Sequence, residues 1–295
     1  MTIRSTILPF AAALTLCGTA QADTLQDILD SGVIRIGIKA DYAPWGMRDE
    51  DGNVVGLEID LVEDFVKRLN EKYDADVKLE KVVVTGSNRL QFLQQGKIDM
   101  MIATMSDKPE RREVVGIVMP DYYSSGVTIL ARNGSGIDGW DSVKGKTICG
   151  IQGAWYNKEY GTKKGADMKA FKGVPEVEAA MLDGRCDGWL YDDSAFVPRK
   201  VNEPEKWADF EMATPVVADV PWGAAVRLED LGTPIAQELS EAIIEWHASG
   251  MIVEGEKKWG IPTTEWVQMM QKACAEGEKI CDTERDADET WELAN

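Results

Sequence analysis

Hydrophobic residues along the chain alternate between short apolar runs and stretches in which they recur with helical spacing. The apolar runs predict buried strands at residues 33–38, 98–103, 146–151 and 186–191. The helical stretches begin at Asp60, at Ser87, near Pro109, at Pro175 and at Pro234. A chain in which strands and helices alternate is typical of an α/β fold with largely parallel sheets.

This series of units occurs twice, and a second set begins after Asn133. Two extended segments, at 127–131 and 223–227, are placed to cross between the two sets, so they predict two lobes joined by a hinge. The predicted division is a signal peptide at 1–22, a first lobe at 23–128, a second lobe at 129–224, and a completion of the first lobe with an acidic C-terminal tail at 225–295.

The N-terminus has the pattern of an export signal. Arg4 is followed by an apolar stretch of 11 residues, and Ala20-Gln21-Ala22 fits a cleavage site, so we expect cleavage after Ala22 and a periplasmic mature chain. Eleven residues are too few for a membrane span, and we expect no membrane insertion of the mature chain. Acylation of Cys17 is the alternative, which the bulky Leu16 disfavours.

The overall charge limits the class of partner. The chain has 32 basic and 51 acidic residues and a net charge of −19, which argues against nucleic acid and anionic membrane surfaces. An anionic ligand must therefore be held by a few placed cations.

Four cysteines remain after removal of the signal: Cys149, Cys186, Cys274 and Cys281. They allow three pairings, of which we favour 149 with 186 and 274 with 281, and the second pair stays open. A zinc site is disfavoured because the chain has no Cys-x-x-Cys motif and His247 is its single histidine.

Ligands of open α/β sheets bind beyond the carboxyl ends of the strands, so the residues there are candidates for binding. They are Lys39, Tyr42 and Trp45 after the first run, Thr104 and Ser106 after the second, Gly153 and Trp155 after the third, and Asp192 after the fourth. They offer a cation, aromatic faces, hydroxyl groups and a carboxylate. Tyr42 and Trp45 could sandwich the aliphatic part of a ligand, or pack on the edge of the sheet.

Arg111 is the sharpest single candidate. It falls in the predicted first turn of a helix, where the helix dipole disfavours a cation, and a broken local rule often marks a functional site. A guanidinium there can bind a carboxylate bidentately, although a surface ion pair with Glu110 or Glu113 is the alternative. Asp192 could equally be a helix cap. Together, Arg111 and Asp192 on opposite lobes match a zwitterion, and Arg89 and Lys39 would add positive charge.

The sequence contains no Gly-x-Ser-x-Gly motif, no Walker loop and no cluster of metal ligands. We therefore expect a binding protein, with no catalytic residues, no metal and no cofactor.

Several segments, in this order, resemble the periplasmic solute-binding proteins of polar amino-acid ABC transporters, which are family 3 of the bacterial extracellular solute-binding proteins. They are residues 34–45, 51–61, 88–99, 105–111, 122–123, 145–153 and 184–192. The resemblance covers nearly all of residues 33–260. It implies a two-lobed type II periplasmic-binding-protein fold whose lobes are joined by two crossing segments and close on a ligand.

The resemblance also implies roles for residues. Arg111 would bind the α-carboxylate of an amino acid, Asp192 its α-ammonium group, and Thr104 and Ser106 would add hydrogen bonds. The protein would act as a monomer that delivers its ligand to an inner-membrane ABC permease.

The Asn88-Arg89 pair, Cys149 and Cys186 look most like the glutamate/aspartate and general amino-acid branch. In acidic-ligand members, cations at the positions of Lys39 and Arg89 meet the side-chain carboxylate, so we expect a polar, possibly acidic, amino acid.

Two positions depart from the family pattern. Gly153-Ala154-Trp155 replaces a motif with hydroxyl groups, and Lys108 replaces a threonine helix cap. Two alternatives to transport remain: a ligand-sensing partner of a membrane receptor, and an enzyme on the same fold that resembles cyclohexadienyl dehydratase.

Overall fold

The structure, a computed structural model, describes residues 23–281. The predicted signal peptide lies outside the described residues, and so does most of the predicted acidic tail. No helix in the described part of the chain combines the length and apolar character that crossing a membrane requires.

The described residues form α-helices and strands that alternate along the chain. The helices are α1 Thr24–Ser31, α2 Leu57–Tyr73, α3 Arg89–Gln94, α4 Pro109–Arg112, α5 Val174–Leu182, α6 Asp193–Asn202, α7 Pro234–Ala248, α8 Met251–Lys258 and α9 Glu265–Glu276. The strands are β1 Val33–Ile38, β2 Met47–Arg48, β3 Val54–Val55, β4 Lys78–Val83, β5 Met100–Met101, β6 Gly116–Arg132, β7 Thr147–Ile151, β8 Asp167–Phe171, β9 Gly188–Asp192, β10 Phe210–Met212 and β11 Val217–Val226.

The strands form a sheet whose order is β4-β1-β5-β11-β6-β9-β7-β8, with β10 beside β6. Its two outer parts are parallel, as the α/β prediction requires. The centre is antiparallel, because β11 pairs with β5 and β6, and β6 pairs with β9. The chain is thus two α/β lobes, one built on β1, β4 and β5 and the other on β7, β8 and β9, with the long strands β6 and β11 running between them.

The two segments predicted to cross between the lobes lie within these long strands. The boundaries that we predicted, at 128/129 and 224/225, fall inside β6 and β11. The exact division into lobes remains a prediction.

Two helix starts differ from the prediction by more than one residue. α2 begins at Leu57 rather than Asp60, because the backbone N–H groups of Leu57 and Glu58 donate to Pro44 O at 3.1 Å and Trp45 O at 3.0 Å. The acceptors come from the preceding loop, so no capping side chain is needed at residue 60.

The cap of α3 is Asn88 and not Ser87. Its Oδ1 accepts a hydrogen bond from Thr85 N at 2.8 Å, which closes the turn that leads into the helix. Gly96, with φ +63°, ends this segment as predicted.

The two cysteine pairs that we favoured are present as disulfides. Cys149–Cys186 and Cys274–Cys281 have Cα separations of 5.8 Å and 5.2 Å, within the usual range. The first disulfide ties β7 to the residues that lead into β9.

Candidate functional site

A small cavity of about 30 Å³ lies between the lobes, where the ends of the strands meet. It is lined by Lys39, Gly86, Arg89, Thr104, Ser106, Arg111, Ile151, Gln152, Gly153, Ala154, Trp155, Tyr156, Tyr191 and Asp192. Eight of the ten residues that the sequence nominated for binding are therefore in its wall, with both lobes contributing.

Arg111 forms part of the first lobe's wall. It lies on α4 and is almost completely buried, and its Nη1 donates to Ser106 O at 2.7 Å. Burial, together with the positive charge of the nearby Arg89, lowers the pKa of the guanidinium to about 10. The group keeps its charge at neutral pH and retains N–H donors for a carboxylate.

Asp192 is the carboxylate of the second lobe. It stands at the end of β9 and at the N-cap position of α6, but its side chain makes no capping hydrogen bond. Tyr42 Oη donates to its Oδ2 at 3.1 Å, and Tyr156 also hydrogen-bonds to it. Burial raises the pKa of Asp192 to about 7 despite these hydrogen bonds. An ammonium group placed here would lower that pKa by direct attraction.

Two further cations reach the cavity from the first lobe. The guanidinium of Arg89 is buried and donates to Ala103 O, and burial lowers its pKa. Lys39 Nζ lies 2.7 Å from Asp41 Oδ1, so much of its charge is balanced within the lobe. Among the described residues, Arg89 and Arg111 have no carboxylate within salt-bridge distance.

Thr104 stands on the cavity wall in an uncommon backbone conformation. Its φ is +47°, which a β-branched residue adopts only when its surroundings hold it. Its N–H donates to Glu58 Oε1 at 2.7 Å and to Tyr122 Oη at 3.0 Å, and Tyr122 Oη donates to the same carboxylate oxygen. Glu58 thus holds Thr104 in place. Burial raises the pKa of Glu58 to about 7.

The loop after β7 brings the second lobe against the first. Gly153 has φ +83°, and a methyl group on it would lie only 2.5 Å from Gly86 O. Trp155 Nε1 donates to Ser106 Oγ at 3.3 Å across the cavity. The lobes therefore meet in a closed arrangement.

Tyr42 and Trp45 are not placed as two faces around the cavity. Tyr42 reaches Asp192 through its hydroxyl group, whereas Trp45 is fully buried, with its ring centre 4.2 Å from Tyr123 and 5.0 Å from Trp222. Within the described part of the chain, Trp45 packs in this aromatic cluster rather than on the cavity wall.

Six residues of the cavity wall are not among the ten that the sequence nominated: Gly86, Ile151, Gln152, Ala154, Tyr156 and Tyr191. Tyr156 and Tyr191 line the cavity beside Asp192, and Gly86 faces Gly153. Tyr156 follows Trp155 directly, so the loop already singled out contained the signal. No pattern in the sequence distinguished Gly86 from an ordinary turn glycine. Residues 23–281 contain no group of three or more histidine, cysteine or acidic residues that could hold a metal ion.

Known proteins share both the sequence pattern and the fold. The ABC transporter glutamine-binding protein GlnH of Bacillus subtilis (strain 168) is 26% identical over 244 residues, which are 81% of this chain and 85% of that protein. An ArgBP variant from T. maritima has a TM-score of 0.71 at 26% identity and covers 80% of this chain and 98% of its own.

The ancestral amino acid-binding protein AncCDT-1, described as a precursor of cyclohexadienyl dehydratase, has a TM-score of 0.67 at 26% identity and covers 80% of this chain and 99% of its own. Residues 34–262 match the bacterial extracellular solute-binding proteins, family 3. This match spans most of the chain, and the chain therefore belongs to that family.

Proposed function

We propose that this solute-binding protein captures an amino acid between its lobes, with Arg111 on the α-carboxylate and Asp192 on the α-ammonium group. The observation that carries the proposal is that these opposite charges, one from each lobe, are buried in the wall of one cavity. A zwitterion satisfies both charges at once and favours the closed form by its affinity for both lobes. Thr104 and Ser106 supply hydrogen bonds beside Arg111.

The balance of charge supports an acidic side chain on this amino acid. Arg111 and Asp192 would be neutralised by the zwitterion, and Lys39 is paired with Asp41. Arg89 then remains as a buried cation, and a buried charge is stabilised by a partner of opposite sign. A ligand carboxylate is such a partner, so we favour glutamate or aspartate.

We further propose that the chain is exported with cleavage of its signal peptide, that it acts as a monomer, and that it delivers its ligand to an inner-membrane ABC permease. The likeness to the ABC transporter glutamine-binding protein GlnH supports this transport role. The sensing role and the dehydratase-like enzyme are the other outcomes that an experiment must separate. Both transport and sensing require only that this protein bind its ligand, and neither requires it to carry out covalent chemistry.

The decisive experiment is a calorimetric titration of the twenty amino acids against protein that has been unfolded in urea, dialysed and refolded to remove bound ligand. We expect L-glutamate or L-aspartate to bind more tightly than their amides. At 100 times its dissociation constant, a ligand should stabilise the fold by about 2.7 kcal/mol. Absence of binding, together with turnover of prephenate or arogenate, would replace the transport role by an enzymatic one.

Arg111→Ala should abolish amino-acid binding while the urea midpoint stays close to that of the wild type. Arg111→Lys keeps the charge but loses the bidentate fork, so its affinity should fall between the two. Arg48→Ala, an exposed arginine of the same lobe, is the matched control. Unchanged affinity in Arg111→Ala would show that the carboxylate binds elsewhere.

Arg89→Ala should weaken the binding of L-glutamate more than that of L-glutamine, because only L-glutamate has a side-chain carboxylate for Arg89. The measurement is the ratio of the two dissociation constants in wild type and variant. An equal loss for both ligands would remove the case for an acidic substrate.

A further inference from the structure

Lys108 contacts Trp155, a residue of the cavity wall, from the opposite lobe. Lys108 stands directly before α4 in the first lobe, and Trp155 lies in the loop after β7 in the second. Lys108 Nζ lies 4.2 Å from the centre of the indole ring. An ammonium group at this distance over a tryptophan face forms a cation–π contact, which is strongest for this ring type.

The same indole makes a second contact with the first lobe. Its Nε1–H donates to Ser106 Oγ at 3.3 Å. A serine hydroxyl has a single O–H donor and separate acceptor sites, so accepting from the indole leaves its own proton available. The backbone of Ser106 is fixed as well, because its carbonyl oxygen accepts from Arg111 Nη1 at 2.7 Å. Ser106 is therefore held with its O–H proton available beside the guanidinium of Arg111.

We propose that Lys108 and Trp155 form a latch that holds the two lobes closed and directs the Ser106 hydroxyl toward the carboxylate of the ligand. This proposal rests on the proposed function for its ligand, but the latch itself joins the lobes directly. Lys108 and Trp155 are positioning residues, since they act through closure and through Ser106. Both contacts require the two lobes to be together.

The location of the contacts determines which rate they affect. Ligand enters when the lobes are apart and neither contact exists, so loss of the latch should not lower the association rate. Opening must break both contacts before the ligand leaves, so the dissociation rate should rise. A cation–π contact of ordinary strength corresponds to about a two- to thirtyfold change in that rate.

The test is a double-mutant cycle with Lys108→Met and Trp155→Leu, using L-glutamate and L-glutamine as probes. We expect each single variant to raise the dissociation rate several-fold and the double variant to be no worse than Trp155→Leu alone. Lys108→Arg should restore near wild-type behaviour, because arginine also binds aromatic faces. Rates that multiply in the double variant would overturn the latch.

A second cycle separates the two contacts. Trp155→Phe keeps a ring beneath Lys108 but removes the N–H, so its effect should disappear when Ser106 is already alanine. Independent effects of Trp155→Phe and Ser106→Ala would overturn the positioning of Ser106.

The matched control is Lys97→Met. Lys97 Nζ lies 4.7 Å from the centre of the Phe92 ring, in a cation–π pair contained in the first lobe. This variant loses a similar contact, but one that does not join the lobes, so its rates should equal those of the wild type. A dissociation rate raised as much as in Lys108→Met would contradict the latch.

Small-angle scattering without added amino acid separates a failure of the latch from a failure of the proposed function. If the wild type binds none of the twenty amino acids, the amino-acid proposal fails, and the latch is then judged on shape alone. A larger radius of gyration for Trp155→Leu than for the wild type and Lys97→Met would support it. Equal radii for all three proteins would overturn it.

Discussion

The buried carboxyl of Asp192 links ligand binding to pH. Burial raises its pKa from an ordinary 3.8 to about 7, so the folded protein without ligand holds a proton that the unfolded chain releases at much lower pH. The stability contributed by the neutral acid is complete below about pH 4 and is lost as the pH rises through 7. A bound ammonium reverses this preference, because it favours the carboxylate.

Asp192→Asn removes that titration and leaves a group of similar size. We expect it to abolish amino-acid binding, yet to gain stability relative to the wild type between pH 5 and pH 8, on the order of 2 kcal/mol. Urea unfolding of ligand-free protein at both pH values measures this. The same stability difference from the wild type at both pH values would show that Asp192 is ionised in the folded protein throughout this range.

At the scale of single residues, strand-end reasoning predicted Asp192, Thr104 and Ser106, and an unfavourable helix position singled out Arg111; all four now share one cavity. It could not place Trp45, because an aromatic side chain in a loop suits a ligand and a core equally well. The aromatic residues that Trp45 contacts in the core are Tyr123 and Trp222, and both come from distant parts of the chain. The contact between Lys108 and Trp155 was also not predictable, since the two departures from the family pattern are 47 positions apart.

At the scale of elements, predictions were accurate where the signal is local. The strand at 33–38 has the same limits in sequence and structure, since an apolar run bounded by polar residues is sufficient. The run at 98–103 contains a paired strand of only Met100–Met101, although Asp99 N and Ile102 N also bond to backbone oxygens of the neighbouring strand. The apolar character of this stretch indicates that it is buried. The length of the hydrogen-bonded strand depends on the neighbouring strands, which the local sequence does not specify.

The junction of α2 and β5 depends on one acidic side chain. Glu58, in the first turn of α2, accepts from Thr104 N after β5 and from Tyr122 on β6. Glu58→Ala leaves a buried N–H and a buried hydroxyl without this acceptor, so we expect a loss of about 2–4 kcal/mol in the free energy of unfolding. Glu58→Gln keeps one acceptor oxygen and should lose less.

Urea unfolding of the two Glu58 variants measures the loss in the free energy of unfolding. Amino-acid titration of Glu58→Gln serves as a control that the binding site is intact. Equal stability of the alanine variant and the wild type would mean that Thr104 is held in its conformation by other contacts.

At the scale of the whole molecule, the two-lobed architecture was predictable because the chain repeats its units and places extended segments between them. The antiparallel centre of the sheet was not, since it arises from pairing between strands about a hundred residues apart. How closely the lobes approach was also not evident. That distance is set by bare backbone at Gly153 and Gly86.

Gly153→Ala should therefore weaken ligand binding at least tenfold without unfolding the protein. Its methyl group would lie 2.5 Å from the carbonyl oxygen of the opposite lobe, so closure would be incomplete. Gly52→Ala is the matched control, because Gly52 has φ +84° but nothing within 4 Å of the added methyl group. Ligand titration and urea unfolding of both variants distinguish blocked closure from backbone strain. Equal losses of affinity in the two variants would contradict blocked closure.

The long strand β6 has one more consequence. It is buried along nearly all of its 17 residues and pairs with β11, β9 and β10, so both halves of the molecule depend on the same central strand. Unfolding of either half would remove strands that pair with β6, and the other half depends on β6 as well. Thermal unfolding should consequently be a single cooperative transition. A destabilising substitution in one half should also reduce the protection of backbone amides against hydrogen exchange in the other half.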